Sequence, residues 1–302
     1  MKKISVLMLV ALIGIVSFSV VGTAQELEGT VKIDGSSTVY PVTQAMAEEF
    51  SYVNPRVRVP VGVSGTGGGM EKFTIGETDI TNASREIKPS ELAKAEENGI
   101  EITRFTVAYD GITVVINPEN DWAEDMTAEE LQKIWEPGSS VKTWSDVRSE
   151  WPNEEIELYG PGADSGTFDY FTGAIVGNES ESRADFTASE DDNILVQGVA
   201  GSKYALGYFG YAYFEENQDK LKAVAINGVK PSPETIESNQ YKPLSRPLFI
   251  YVNNARVSEK PEVEAFLNFY FESAKELIPM VGYVPLTSYE EQLNKVEELA
   301  NN

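Results

Sequence analysis

The sequence contains no cysteine and no histidine in 302 residues. Without cysteine, the chain can form no disulfide, no thiolate metal site and no lipid anchor on a cysteine. Without histidine, it can form no Ser-His-Asp triad, no histidine general base and no metal site that includes histidine. Any catalysis would therefore depend on Ser, Lys, Tyr, Asp or Glu side chains.

Positive charge is also scarce. The chain has 24 Lys and Arg residues against 48 Asp and Glu residues, which gives a formal net charge of −24. A protein that binds nucleic acid usually presents a basic surface, so we expect no nucleic-acid partner. An acidic surface of this kind is typical of a soluble protein and would also suit a saline habitat.

Long apolar runs are absent except at the amino terminus. There, Lys2 and Lys3 precede an apolar run over residues 4–21, and the small residues Gly22-Thr23-Ala24 precede Gln25. This pattern predicts a secretory signal peptide cleaved near Ala24, although the run is nearly long enough for a membrane anchor. We expect a mature chain of 278 residues that is periplasmic or otherwise extracytoplasmic, with a net charge of −26 once Lys2 and Lys3 are removed.

Strand-like and helix-like segments alternate through the rest of the chain. Residues 57–63 alternate apolar and polar positions, residues 106–117 form a long apolar strand pattern, and Thr127 with Glu130 forms a capping box. Such alternation predicts an α/β fold with largely parallel sheets. No Gly/Ser linker divides the chain, so a domain boundary would fall within strands, near Tyr109-Asp110-Gly111 and near Arg246-Pro247.

Three turns share one design, in which a strand pattern leads through Ser, Thr and Gly residues into a helix pattern. They are Ser36-Ser37-Thr38, Ser64-Gly65-Thr66-Gly67 and Asp164-Ser165-Gly166-Thr167. A helix start offers unpaired N–H groups and the positive end of the helix dipole, and glycines let a ligand reach the backbone. Each turn alone could be an ordinary helix cap. Together, at the carboxyl ends of strands, they predict a site for a small oxyanion.

Two charged residues are candidates for the same site. The planar guanidinium of Arg85 suits a tetrahedral oxyanion, although Arg85 could instead be a surface residue or pair with Asp79. Asp110 follows an apolar strand pattern and could be a turn residue or accept a proton from a ligand. The glycine runs do not end in the Gly-Lys-Ser/Thr of a P-loop. Asp164-Ser165-Gly166 has no second copy, which an aspartic protease would need.

The motifs, taken in order, resemble the substrate-binding protein of the phosphate ABC transporter, over nearly the whole mature chain. The segments that carry the resemblance are Ile33-Asp34-Gly35-Ser36-Ser37-Thr38-Val39-Tyr40-Pro41, Ser64-Gly65-Thr66-Gly67-Gly68, Ala83-Ser84-Arg85, Gly160-Pro161-Gly162-Ala163-Asp164-Ser165-Gly166-Thr167 and Gly207-Tyr208-Phe209-Gly210-Tyr211.

The resemblance implies a periplasmic binding protein of the type II kind, with two lobes joined by two hinge crossings. Each lobe would have a central, mostly parallel sheet flanked by helices, and the lobes would close on the ligand. Lobe 1 would comprise residues 25–109 and 248–302, and lobe 2 residues 110–247. The implied function is high-affinity binding of inorganic phosphate and its delivery to the membrane permease of an ABC importer, by a monomer that is not an enzyme and needs no metal or other cofactor.

The resemblance also implies a set of phosphate-binding residues, taken from the three turns and the two charged positions. They are Ser37, Thr38, the backbone of Val39, Ser64, Arg85, Asp110, Ser165, the backbone of Gly166, and Thr167. Some family members carry an acid where this chain has Arg85, so Asp110 is the first candidate for the carboxylate that accepts the phosphate proton. Asp164 and Asp79 are the secondary candidates.

A proton-accepting carboxylate would distinguish phosphate, which keeps a proton near neutral pH, from sulfate, which has none. Two other functions stay open from the residues alone. One is the binding of another oxyanion, such as sulfate, molybdate or tungstate. The other is hydrolysis of phosphoesters or peptides outside the cell.

Overall fold

The computed structural model describes residues 27–163 and 165–301. The expected signal peptide and Asp164 lie outside the described residues. Within this part of the chain, no helix combines the length and the apolar character needed to cross a membrane.

Most of the strands are short, and two are long. They are β1 (Gly29–Thr30), β2 (Ile33–Gly35), β3 (Val57–Arg58), β4 (Ile80–Ala83), β5 (Ile102–Ile116), β6 (Asp125–Met126), β7 (Glu157–Pro161), β8 (Thr187–Ser189), β9 (Ala205–Gly210), β10 (Lys222–Ala223), β11 (Ala225–Ile226) and β12 (Ser245–Asn253).

Helices alternate with these strands. They are α1 (Tyr40–Val53), α2 (Gly65–Phe73), α3 (Pro89–Glu97), α4 (Ala128–Trp135), α5 (Trp144–Val147), α6 (Gly166–Phe171), α7 (Asp192–Gly201), α8 (Tyr211–Glu215), α9 (Pro233–Glu237), α10 (Asn254–Glu259), α11 (Pro261–Met280) and α12 (Glu290–Ala300), and a π-helical turn, Thr172–Val176, continues α6.

The predicted capping box at the start of α4 is confirmed. The Thr127 hydroxyl accepts a hydrogen bond from the Glu130 N–H at 3.2 Å, and a carboxylate oxygen of Glu130 accepts one from the Thr127 N–H at 2.8 Å. These bonds satisfy two donors that the helix start would otherwise leave unpaired.

The central sheet has the strand order β2-β4-β12-β5-β9-β7-β8. The pairs at its two ends, β2–β4, β9–β7 and β7–β8, are parallel. The pairs at its centre, β4–β12, β12–β5 and β5–β9, are antiparallel. The predicted α/β architecture is confirmed, and the sheet is more mixed than expected because the two long strands β5 and β12 run in opposite directions through its middle.

Two large apolar cores lie along this sheet, and a third, smaller cluster includes Met70, Phe73 and Phe249. One of the two large cores contains Phe50, Phe105 and Phe266, and the other contains Trp135 and Tyr208. We call the parts of the molecule around them lobe 1 and lobe 2, respectively. Strand β5 serves both cores: its first half contributes residues to lobe 1, and its second half, from Ile112 onward, contributes residues to lobe 2. The amino-terminal ends of α1, α2 and α6 lie near the region where the two lobes meet.

Candidate anion-binding site

One cleft of about 290 Å³ is lined by the turns before α1 and α2, by residues of α6, and by Arg246; the expected residues Val39, Asp110, Ser165, Gly166 and Thr167 are not among those that line it. The cleft is lined by hydroxyl-bearing, glycine and charged residues: Ser36, Ser37, Thr38, Gly65, Thr66, Ser84, Arg85, Asp169, Tyr170, Glu179 and Arg246. A larger cavity of about 610 Å³ lies between α1 and β3. No helix start lines it, so the smaller cleft is the better candidate for an anion.

The start of α1 forms one wall of the cleft. Ser37 is exposed there, whereas Thr38 is buried and its hydroxyl oxygen accepts a hydrogen bond from Arg246 Nη2 at 3.4 Å. The Thr38 carbonyl accepts a hydrogen bond from the Tyr283 hydroxyl at 2.7 Å. Val39 is the cap residue of α1 and its side chain is fully buried, so its contribution to a ligand can come only from the backbone.

The start of α2 lies beside it because Gly69 lets the helix approach β2. A Cβ on Gly69 would lie 2.5 Å from the Cα of Gly35, closer than real side chains come. The lining residues from this turn are Gly65 and Thr66, and the Thr66 hydroxyl oxygen accepts a hydrogen bond from the Ser84 N–H at 3.2 Å. This bond holds the turn before α2 to the residue that follows β4, and the close approach of Gly69 to Gly35 places α2 beside the end of β2.

Ser64 is placed differently from Thr66. Its hydroxyl donates to Asp34 Oδ1 at 2.5 Å and is absent from the cleft lining. Burial alone would raise the pKa of Asp34, but hydrogen bonds from Lys72 and Ser64 lower the pKa overall. Asp34 therefore stays ionised and holds the Ser64 hydroxyl, and Thr66 presents the hydroxyl that we had expected from Ser64.

The start of α6 forms the opposite wall. Ser165 caps the helix, since its hydroxyl oxygen accepts a hydrogen bond from the Thr167 N–H at 3.2 Å. A Cβ on Gly166 would lie 3.5 Å from Thr38 Oγ1 and 3.6 Å from Thr38 Cα. The start of α6 in lobe 2 thus lies close to Thr38 in lobe 1, and even a Cβ on Gly166 would only reach ordinary contact with Thr38.

An ion pair adjoins the cleft: Arg246 lines it, whereas its partner Asp110 is buried and is not among the lining residues. Arg246 on β12 stands opposite Asp110 on β5, and its Nε and Nη2 donate to Asp110 Oδ2 at 3.2 and 3.1 Å. The guanidinium also lies over the ring of Tyr170, 3.8 Å from the ring centre. Burial raises the pKa of Asp110, and the positive charge of Arg246 opposes that rise.

Arg246 was not among the residues expected at the site. The sequence placed Arg246-Pro247 at a chain crossing, and that position was the available signal, because a residue at a crossing lies between the lobes. Ser36, Thr66 and Ser84 were also missed as site residues, although each lies within or next to a segment that had been singled out.

Arg85 lines the cleft, but its guanidinium already has a partner. Nη1 and Nη2 donate to the two carboxylate oxygens of Glu91 at 3.0 and 2.8 Å. Burial would raise the pKa of Glu91, and the hydrogen bond from Arg85 lowers the pKa overall. The expected alternative, a pair with Asp79, is not formed. Arg85 is therefore held at the edge of the cleft by α3.

Asp79 does not reach the cleft. It precedes β4, whereas Ser84, the residue of this region that lines the cleft, follows the other end of that strand. Oδ2 of Asp79 accepts hydrogen bonds from Lys260 Nζ at 2.7 Å and from the Lys32 N–H at 2.8 Å. The expectation that Asp79 could accept a ligand proton is therefore corrected: its carboxylate joins β2 to α11 within lobe 1.

The charges and donors of the cleft suit a small anion. The hydroxyl-bearing turns before α1 and α2 and the cations Arg85 and Arg246 line a space that Asp169 and Glu179 also line. Among the described residues, no group of three or more His, Cys, Asp or Glu side chains is placed to hold a metal ion.

Comparisons with known proteins agree with this geometry. A family model described as a PBP superfamily domain matches residues 21–274. The protein SphX of Synechocystis sp. is 47% identical over 280 residues, which cover 91% of this chain and 83% of the relative. The phosphate-binding protein PstS of Staphylococcus saprophyticus is 39% identical over 279 residues, which cover 90% of this chain and 86% of the relative.

A solved structure shares the same fold. The crystal structure of a possible phosphate binding protein from Planctomyces limnophilus superposes with a TM-score of 0.83 at 50% sequence identity, and the match covers 91% of this chain and 99% of that one. The matches extend over both lobes and the cleft between them. The chain therefore belongs to the PstS-like family of phosphate-binding proteins, within the PBP superfamily.

Proposed function

We propose that this protein captures inorganic phosphate outside the cytoplasm and delivers it to the permease of an ABC-type phosphate importer. The observation that carries the proposal is a single small cleft lined by the turns before α1 and α2, by residues of α6, and by Arg85 and Arg246. The names of the relatives SphX and PstS, and the fold that the chain shares with a phosphate-binding protein, support the same ligand.

Each wall of the cleft would supply donors to a different phosphate oxygen. From lobe 1 these are the Thr38 hydroxyl, the Val39 N–H and the groups of Gly65 and Thr66. From lobe 2 they are the Ser165 hydroxyl, the Gly166 N–H and the Thr167 hydroxyl, which belong to one helix start. Neutral hydrogen bonds contribute about 0.5–1.5 kcal/mol each and charge-assisted ones about 1.5–3 kcal/mol, so Arg246 would contribute the largest single contact.

Asp110 would accept a hydrogen bond from the P–OH group of phosphate. Both hydrogen bonds from Arg246 end on its Oδ2 atom, and we assign Oδ1 as the acceptor for the P–OH group. Sulfate has no proton to donate, so the buried carboxylate would repel it. Because burial raises the pKa of Asp110, acidification would protonate this group earlier than an exposed aspartate, and the preference for phosphate over sulfate would fall.

Binding would close two lobes around phosphate. We assign residues 25–109 and 248–302 to lobe 1 and residues 110–247 to lobe 2, since β5 and β12 pass from one core to the other near these boundaries. The ligand would close the cleft by contacting both α1 and α6, whose starts lie on opposite walls. We further propose that the signal peptide is cleaved near Ala24 and that the protein acts as a monomer without enzymatic activity.

Calorimetry of the mature chain with phosphate and, separately, with sulfate tests this proposal. We expect one phosphate bound per chain, and sulfate binding at least 100-fold weaker, about 2.7 kcal/mol. Tight sulfate binding with no response to phosphate would favour the alternative of another oxyanion. Turnover of a phosphoester by the metal-free protein would favour a hydrolase.

A further inference from the structure

Residues 281–287, which follow α11, cross the region between the lobes. We call this segment the hinge strap. The backbone of Val284 pairs with that of Tyr109 on β5 through two hydrogen bonds, with N···O distances of 2.8 and 3.0 Å. The strap thus adds a third chain segment to the two long strands at the point where the cores meet.

The strap is attached to lobe 2 at three positions. Val284 is buried in the lobe 2 core. The carbonyl oxygen of Gly282 lies 3.2 Å from where a Cβ would stand on Gly210, at the junction of β9 and α8. Thr287 donates from its N–H to Glu237 at 3.0 Å and from its hydroxyl to the same carboxylate. These contacts attach the strap to lobe 2, whereas Val281, Tyr283 and Leu286 pack in or against the lobe 1 core, so the strap is held by both lobes.

Tyr283, between two of these attachments, reaches the anion site in lobe 1. Its hydroxyl donates to the carbonyl oxygen of Thr38 at 2.7 Å. Burial raises the pKa of Tyr283, so the phenol stays protonated and remains a donor over the physiological range. The bond joins a segment held by both lobes to the turn that precedes α1.

The peptide that Tyr283 contacts is the one that carries the Val39 N–H. A trans peptide is planar, so fixing the direction of the Thr38 carbonyl also fixes the direction of the Val39 N–H on the opposite side. A carbonyl that accepts a hydrogen bond also polarises its peptide, which makes the N–H a stronger donor. Both effects act on a group assigned above to phosphate.

We propose that Tyr283 is a positioning residue for phosphate, which acts by orienting the Thr38–Val39 peptide from the hinge strap. This inference rests on the proposed function and adds a residue outside the three turns. It predicts that removal of the Tyr283 hydroxyl oxygen, which is not itself assigned to phosphate, weakens phosphate binding.

The chain offers a control in Tyr289. Its hydroxyl donates to the Val107 carbonyl at 2.7 Å, the same distance and the same acceptor type, within the core of lobe 1, and it also accepts a hydrogen bond from the Leu286 N–H at 3.0 Å. Tyr283→Phe removes one hydrogen bond and Tyr289→Phe removes two, so Tyr289→Phe should cost at least as much stability. Only Tyr283→Phe alters the peptide at the cleft.

The experiment compares the mature wild type with these two variants by urea unfolding, phosphate calorimetry and stopped-flow binding. We expect Tyr283→Phe to weaken phosphate binding about three- to tenfold, the range for one hydrogen bond, through faster dissociation. Tyr289→Phe should bind as the wild type does. Equal phosphate affinity of the two variants would overturn the inference and leave the proposed function intact. A wild type that does not bind phosphate would overturn both.

Discussion

Replacement of Arg246 by methionine tests which cation holds the anion. Methionine keeps much of the apolar stem and removes the guanidinium, which bonds Asp110 twice, contacts Thr38 and lies over Tyr170. If this group supplies the charge-assisted contact, worth about 1.5–3 kcal/mol, then Arg246→Met should weaken phosphate binding about 10- to 100-fold at neutral pH. Calorimetry or competition with labelled phosphate measures the change.

The same substitution should destabilise the fold, because it leaves Asp110 buried without a partner. Asp110 is 3% exposed, and breaking a buried ion pair in this way costs about 3–5 kcal/mol. Burial already raises the pKa of Asp110 above its unfolded value, so its contribution to stability falls as pH rises between those two values. Without the opposing charge of Arg246 the pKa rises further, and the loss in Arg246→Met should grow as the pH rises above the usual pKa of an aspartate.

A second substitution separates the two effects. Adding Asp110→Asn to Arg246→Met removes the buried charge, so the free energy of unfolding from urea titrations should recover in part and lose its added pH dependence. Phosphate affinity should stay low in the double variant. If Arg246→Met alone binds phosphate within twofold of the wild type, Arg246 is not the cation of the site and the reasoning about this ion pair is wrong.

The remaining predictions concern the same cleft. Asp110→Asn should narrow the affinity ratio of phosphate to sulfate at least tenfold in calorimetry, whereas an unchanged ratio would place the proton acceptor elsewhere. Gly166→Ala should weaken phosphate binding more than tenfold with little change in melting temperature, because the new Cβ fits beside Thr38 on the opposite wall but fills the space for the anion. The control is Gly67→Ala, where a Cβ meets nothing within 4 Å. Equal phosphate affinities of the two variants would contradict the placement of the anion. Arg85→Ala should weaken binding about three- to tenfold, as expected of a cation shared with a carboxylate, and Arg256→Ala by less than twofold; equal effects in a binding titration would remove Arg85 from the site.

Features set by local sequence could be predicted well. The capping box of Thr127 and Glu130 depends on residues three apart, and the structure confirms it. The turns before α1, α2 and α6 also follow from local patterns, in which a strand pattern, hydroxyl residues and a helix pattern succeed one another. That the turns lie together does not follow from strand direction alone, because β2 and β7 run in opposite directions in the central sheet and β3 belongs to a separate two-stranded sheet.

Features set by distant partners could not be predicted in this way. Arg246 and Asp110 are 136 residues apart and meet because β5 and β12 pair in one particular register. Arg85 pairs with Glu91 and not with Asp79, because Asp79 forms an ion pair with Lys260, which is far along the chain. Ser64 turns to Asp34, on a neighbouring strand. In each case the sequence supplied the right kind of residue, and the choice of partner depended on packing between elements.

A crystal structure of the mature protein grown with phosphate tests the central claim most directly. We predict tetrahedral density in the cleft between α1 and α6, within hydrogen-bonding distance of the Val39 N–H, the Gly166 N–H and the guanidinium of Arg246. Phosphate bound elsewhere, with this cleft empty of it at saturating concentration, would contradict the account.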